Sequence, residues 1–204
     1  QCVTAGVDLL FSPSYEEMYS QQVLTSIQIQ DLTSNLEGES RPTHFSGVAT
    51  VVAKLFNIAG LCNAYFGEKD WQQLQVITKM AHDLSFRVRV FGCPTVRHSD
   101  GLALSSRNAY LTPKERKSAT VLSRSLQKAS ETFQSGERST SVIMAQIIEE
   151  ISTEPLVSLD YIEIVEGRSL KSINEIKEGS RILLAANVGE ARLIDNVDPY
   201  FGIQ

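Results

Sequence analysis

Between residues 44 and 93 the spacing of the apolar side chains changes period three times, and this constrains the fold more than any other feature of the 204-residue chain. Val48, Val51, Val52, Leu55 and Phe56 recur at i, i+3, i+4, i+7 and i+8, which is one face of a helix. Asn63–Phe66 then reads as a short strand. Lys69–Leu84 returns to the helical period with Leu74, Ile77, Ala81 and Leu84 on one side, and Val88–Phe91 is extended again. Two short strands joined through a helix call for parallel pairing, since only a long crossover returns the chain to the same end of a sheet. A mostly parallel sheet with helices on its faces is therefore expected.

Upstream, the apolar run Val7–Phe11 reads as a strand, and Ser12-Pro13-Ser14 before Glu16 and Glu17 as a helix start. Ser26–Gln30 alternates apolar and polar residues like a half-buried strand. Leu32–Leu36 suggests one helical turn ended by Gly38, and Glu39–His44 a loop. Downstream the order changes. Pro113–Phe133 reads as one long helix with Leu122, Leu126, Ala129 and Phe133 aligned and Gly136 as its stop. Ser141–Ile151 is a second, with Met144, Ile147, Ile148 and Ile151 on one face. Strands are expected at Val157–Val165, Arg181–Ala186 and Arg192–Ile194. Helices followed by strands indicate a separate small α+β unit. Turn residues cluster at Pro94–Gly101, which divides the chain into residues 1–95 and 96–204.

Composition excludes more than it names. There are 19 Lys and Arg against 24 Asp and Glu, a net charge of −5, with no basic block, so nucleic acid is not an expected partner. The charge-free stretch Leu55–Gly67 is too short and too interrupted to span a bilayer, and no membrane partner is expected. Cys2, Cys62 and Cys93 form no C-x-x-C pair and read as thiols of a reducing cytoplasm. No G-x-S-x-G, Walker A or G-x-G-x-x-G pattern occurs.

Three segments carry polar chemistry. In Phe66-Gly67-Glu68-Lys69-Asp70-Trp71-Gln72-Gln73 a strand ends, a glycine follows and a helix begins, the place where anions meet free N–H groups. Lys69 suits a phosphate, Asp70 ribose hydroxyls, and Gln73 a small polar substrate. The same residues also suit an ordinary acidic first turn. In Asp100-Gly101-Leu102-Ala103-Leu104-Ser105-Ser106-Arg107-Asn108, two hydroxyls and a guanidinium make a phosphate clamp, though a Ser-rich linker has the same composition. The third segment, Leu36 to Phe45, places Arg41 and His44 around Pro42. They either touch an anion or, as favoured here, leave Thr43 to cap a helix and His44 to pack beside its first turn. His82 and His98 read as surface residues, and no metal site is expected within the chain.

Taken together, Glu37-Gly38-x-x-Arg41-Pro42-x-His44-Phe45-x-Gly47-Val48, Phe66-Gly67-Glu68-Lys69-Asp70-x-Gln72-Gln73-Leu74 and Asp100-Gly101-Leu102-Ala103-x-Ser105-Ser106-Arg107-Asn108, in this order and spacing, resemble the pantoate–β-alanine ligase (pantothenate synthetase) family. Weaker likeness runs from Val7-Asp8 to Ala191-Arg192-Leu193-Ile194-Asp195-Asn196. The resemblance implies a Rossmann-like nucleotidyltransferase domain followed by a small α+β domain. It implies ATP-dependent joining of pantoate to β-alanine through a pantoyl adenylate, with Mg2+ held mainly by the ATP phosphates and by family residues that have no counterpart in this chain, in a cytoplasmic homodimer.

Position by position, the resemblance implies ATP contacts at Gly67, Glu68, Lys69, Asp70, Val96, Leu104, Ser105, Ser106 and Arg107. Lys69, Ser105, Ser106 and Arg107 would serve the chemistry, Val96 and Leu104 would bracket the adenine, and Gln73 would hold pantoate. Leu104 and Trp71 occupy positions that vary in the family. The family's His-x-Gly-His motif, a further pantoate-binding Asn and Gln, and an Asp near the metal have no counterpart among the 204 residues. The expectation follows that the chain begins partway through the nucleotide-binding domain, in keeping with its opening on Gln1, and that alone it is inactive. A non-catalytic nucleotide-binding module and an adenylate-forming ligase for another acid are the rival readings.

Overall fold

The computed structural model describes residues 1–203. Its first unit contains α1 (Tyr15–Met18), α2 (Glu37–Ser40), α3 (His44–Ala59), β1 (Cys62–Gly67), α4 (Trp71–Asp83) and β2 (Val88–Cys93). β1 and β2 pair in parallel, Cys62 opposite Val88 and Gly67 opposite Cys93, with α4 as the crossover. Phe56, Ile77 and Met80 of α3 and α4 cover the sheet face that carries Ala64, Phe66, Val88 and Val90. On the other face Tyr65 stacks on Phe91 at 5.3 Å, and both remain exposed.

Several local expectations are corrected. Val7–Phe11 forms no strand, because among the described residues none pairs with it to complete a ladder, and Leu9 and Leu10 stay exposed. Ser26–Gln30 keeps its alternation, with Ile27 and Ile29 turned to the core, but it pairs with no strand; Ile27 N–H donates to Thr50 Oγ1 at 3.0 Å instead. Leu32–Leu36 is not helical. Leu36 takes φ +54°, and α2 begins after it at Glu37 and runs two residues into the stretch Glu39–His44 expected to be loop. Gly38 therefore lies within α2 instead of ending a helix. A Cβ there would sit 2.1 Å from the Thr33 carbonyl oxygen. The buried line of α3 runs through Phe45, Ala49, Val52, Ala53 and Phe56, rotated from the expected stripe, because the two alanines permit close approach to α4; Leu55 is 36% exposed.

In the second unit the expected long helix divides into α5 (Pro113–Ala119) and α6 (Val121–Gln134). At the break Thr120 Oγ1 donates to the Lys117 carbonyl, a side-chain bond that competes with the helical ladder. Leu122, Leu126, Ala129 and Phe133 are buried as expected. In α7 (Thr140–Ser152) the buried line is Ile143, Ile147 and Ile151, with Ile148 turned outward. β3 (Val157–Glu166), β4 (Ser180–Val188) and β5 (Ala191–Val197) form an antiparallel sheet in that order. A bulge at Asp160 breaks the β3–β4 register between Leu159 and Tyr161. The architecture is thus a Rossmann-like parallel sheet with helices, followed by a small antiparallel domain. A third apolar cluster joins them: Leu32, Leu36, Phe45 and Val76 meet Val165, Leu170 and Leu183. Among the described residues no helix is long and apolar enough to cross a membrane.

The Gly38 contact is with backbone, which cannot swing aside. Gly38→Ala is expected to lower unfolding stability in urea by about 2 kcal/mol. Gly67→Ala, whose added methyl would meet nothing within 4 Å, should stay within about 1 kcal/mol. Equal losses would show that the Thr33 contact is not a constraint.

Candidate active site

The seam between the units opens into a cavity of about 240 Å³. Its walls come from stretches far apart in sequence: Glu37, Arg41 and His44; Lys69, Asp70 and Gln73; Ser105, Ser106 and Arg107; Tyr161; and Arg192 to Asn196. β1 ends at Gly67, and a single 3-10 turn, Glu68–Asp70, leads into α4. That turn brings Lys69 and Asp70 to the rim and leaves Gln73 on the cavity side of α4. The neighbouring Gln72 faces inward and is 3% exposed. Its Nε2 donates to the carbonyls of Leu32 (2.8 Å) and Asn35 (2.9 Å), and its Oε1 accepts from Glu37 N (3.0 Å).

The Ser105–Arg107 stretch is delivered by a small hairpin. Leu104 N–H donates to the Val96 carbonyl at 2.8 Å, and His98 N–H to Leu102 at 2.9 Å, with Gly101 turning at φ +86°. Arg97 anchors the hairpin to β5 through Asp195, with two bonds of 2.7 and 2.9 Å. Ser105 Oγ then accepts from Arg107 N–H, and Arg107 Nη1 donates to the Arg192 carbonyl at 2.8 Å.

The structure thus gathers Lys69, Asp70, Gln73, Ser105, Ser106 and Arg107 around one space. Gly67, Glu68, Val96 and Leu104 do not line it. The Glu68 carboxylate is turned to Arg181 at 3.0 Å, and Val96 and Leu104 face each other across the hairpin with exposed side chains. His44, read as a packing residue, lines the cavity beside Arg41, and Thr43 makes no side-chain cap. Sequence reasoning passed over Glu37, Tyr161 and Arg192 as site residues. Arg192 grips Glu37 through two bonds of 2.7 and 2.8 Å and Asp160 through a third of 2.8 Å, and Tyr161 OH donates to Glu37 Oε1 at 3.1 Å. Glu37 and Arg192 both lie within the quoted motifs, so their presence was visible. Their pairing, 155 residues apart, was not.

Of the cavity's cations, Arg192 is held by acids, Glu37 and Asp160. The bonds to Glu37 and Asp160 push Arg192 further up, against the effect of burial. Burial, reinforced by Glu37, raises Tyr161 far above the usual phenol range, so it remains a hydrogen-bond donor. Burial and the Arg41 charge lower His44 below 6.5, only partly opposed by Glu37 and Asp70, and Arg107 adds to the lowering. His44 is therefore neutral at pH 7. Below 6.5 the unfolded chain binds more protons than the folded one, so this residue's stabilising share is present above 6.5 and is lost as pH falls through the folded value. Ring-proton NMR should give a His44 midpoint below 6.5, moving up in Arg41→Ala. A native midpoint at or above 6.5 contradicts the arrangement.

Comparison with known proteins bears on this geometry. The family model described as pantoate-beta-alanine ligase matches residues 1–198. Pantothenate synthetase of Clostridium botulinum (strain Langeland) is 46% identical over 195 residues, 96% of this chain and 69% of that protein. The Acetivibrio thermocellus pantothenate synthetase is 49% identical over 193 residues, 95% of this chain and 69% of that one. The crystal structure of pantothenate synthetase from Thermus thermophilus superposes with a TM-score of 0.93 at 46% identity, over 97% of this chain and 72% of that one. A pantoate-beta-alanine ligase from Francisella tularensis, complexed with beta-gamma ATP and beta-alanine, gives 0.71 at 33% identity, over 97% and 67%. With near-complete coverage by the family model and relatives at this identity, the chain belongs to the pantoate–β-alanine ligase family.

Proposed function

We propose that the cavity is the ATP and pantoate site of an ATP-dependent ligase that makes pantothenate through a pantoyl adenylate. The observation that carries this reading is the convergence of Lys69, Asp70, Gln73, Ser105, Ser106 and Arg107 on one cavity. A free carboxylate does not accept an amine. A carboxylate oxygen of pantoate therefore attacks the α-phosphorus of ATP, and pyrophosphate leaves. The neutral amine of β-alanine then attacks the acyl carbon, and AMP departs. Both steps gather negative charge on phosphate oxygens, so fixed cations and donors do most of the work.

In this reading Lys69, Ser105, Ser106 and Arg107 hold the phosphates, Asp70 meets the ribose, and Gln73 orients pantoate. Gly67 and Glu68 contribute backbone at the rim. Val96 and Leu104, opposed on their hairpin, bracket the adenine. Residues 1–95 carry the substrates and residues 96–204 act as the lid. Among the described residues no three acidic, His or Cys side chains gather around a point, and Mg2+ would enter with the ATP phosphates, which would supply its oxygen ligands. The cytoplasm and a homodimer are proposed from the family likeness, and three unpaired thiols suit a reducing compartment.

The absence of His-x-Gly-His from the 204 residues favours inactivity of this chain on its own, with nucleotide binding retained. It equally favours the second reading, a binding module without turnover. The purified chain should form no AMP that depends on both pantoate and β-alanine, yet should bind MgATP, and Lys69→Ala should weaken that binding roughly tenfold or more. AMP formation would overturn the inactivity. Native binding by Lys69→Ala would overturn the phosphate role of Lys69.

A further inference from the structure

Asn196 on β5 is 4% exposed and uses its amide in three bonds. Its Nδ2 donates to the Glu68 carbonyl at 3.0 Å and to the Lys69 carbonyl at 2.9 Å, while its Oδ1 accepts from Arg181 Nε at 2.8 Å. Arg181 closes the arrangement. Its Nη2 donates to Glu68 Oε2 at 3.0 Å, and its guanidinium lies 3.8 Å from the centre of the Trp71 ring. Trp71 in turn donates from Nε1 to the Gly167 carbonyl at 2.7 Å. The three-residue turn that carries Lys69 is thus gripped from behind by the second unit. A 3-10 turn of this length has little internal rigidity.

We propose that Asn196 is a positioning residue for Lys69: by holding the carbonyls of Glu68 and Lys69 it fixes the direction in which the Lys69 side chain enters the cavity. The proposal rests on the reading that Lys69 meets phosphate. Asn196→Asp preserves the shape and the acceptor facing Arg181. It removes the donor and sets an oxygen against two carbonyl oxygens. Asn196→Ala removes the grip without adding charge, and so covers the case in which the aspartate variant does not fold.

Two readouts on the 204-residue chain separate positioning from simple stability. Hydrogen exchange over residues 67–72 should quicken roughly tenfold in either variant, with α6 and α7 unchanged. Calorimetric titration with MgATP should show binding weakened roughly tenfold by Asn196→Asp in the native chain, and by less than about twofold when Lys69 is already alanine. Equal weakening in both backgrounds, or unchanged exchange at 67–72, overturns the proposal. If the native chain binds no MgATP while exchange responds as expected, the nucleotide reading of the cavity is what failed, and the role assigned to Asn196 falls with it.

Discussion

The Arg192 guanidinium reaches from β5 to Glu37 on α2, and beside it Leu183, Val165 and Leu170 meet Leu32, Leu36 and Phe45. This seam decides whether there is a cavity at all. Lys69 stands on the first unit and Arg107 on the second, and they share a space only while the units stay in register. The two kinds of contact have different tasks. Apolar burial supplies net stabilisation, roughly 25 cal/mol per Å² removed from water. The buried ion pairs carry a desolvation cost that offsets much of their attraction, so their main effect is to select one geometry among several with similar apolar burial.

That division explains why the polar groups at the seam are so heavily bonded. Arg181 is buried and its charge is disfavoured there, which lowers it from its ordinary value, yet Glu68, Asn196 and the Trp71 ring each give it a partner. Arg97 is held by Asp195 from the neighbouring strand position to Asn196. Consecutive residues of β5 therefore reach two separate pieces of the site: Asp195 anchors the hairpin before Ser105, and Asn196 grips the turn of Lys69. A strand alternates its side chains, so two adjacent residues can serve opposite directions.

Much of this was legible in the chain. The βαβ crossover, the α6 stripe and the three late strands follow from periodicity, because each is a local pattern of burial. The failures share a cause as well. Val7–Phe11 and Ser26–Gln30 have strand composition, but a strand exists only with a partner beside it. The buried faces of α3 and α7 rotated because the neighbour that packs against them, not their own hydrophobicity, chose the contact line. Trp71 shows the same limit: its position looked free to vary, yet here its ring supports Arg181 and its N–H pins Gly167.

The amino-acid sequence by itself determined the types and order of the elements from α3 to β5, apart from the break between α5 and α6. It also determined the identity of the charged and hydroxyl groups at Lys69, Asp70, Gln73, Ser105, Ser106 and Arg107, because those are properties of residues and short segments. Only the tertiary structure decided that these groups face one cavity, that His44 joins them, that Glu68 turns away to Arg181, and that Glu37 answers Arg192 across 155 positions. Such pairings arise where the units pack against each other, and nothing in the local periodicity of either segment encodes the other's distance.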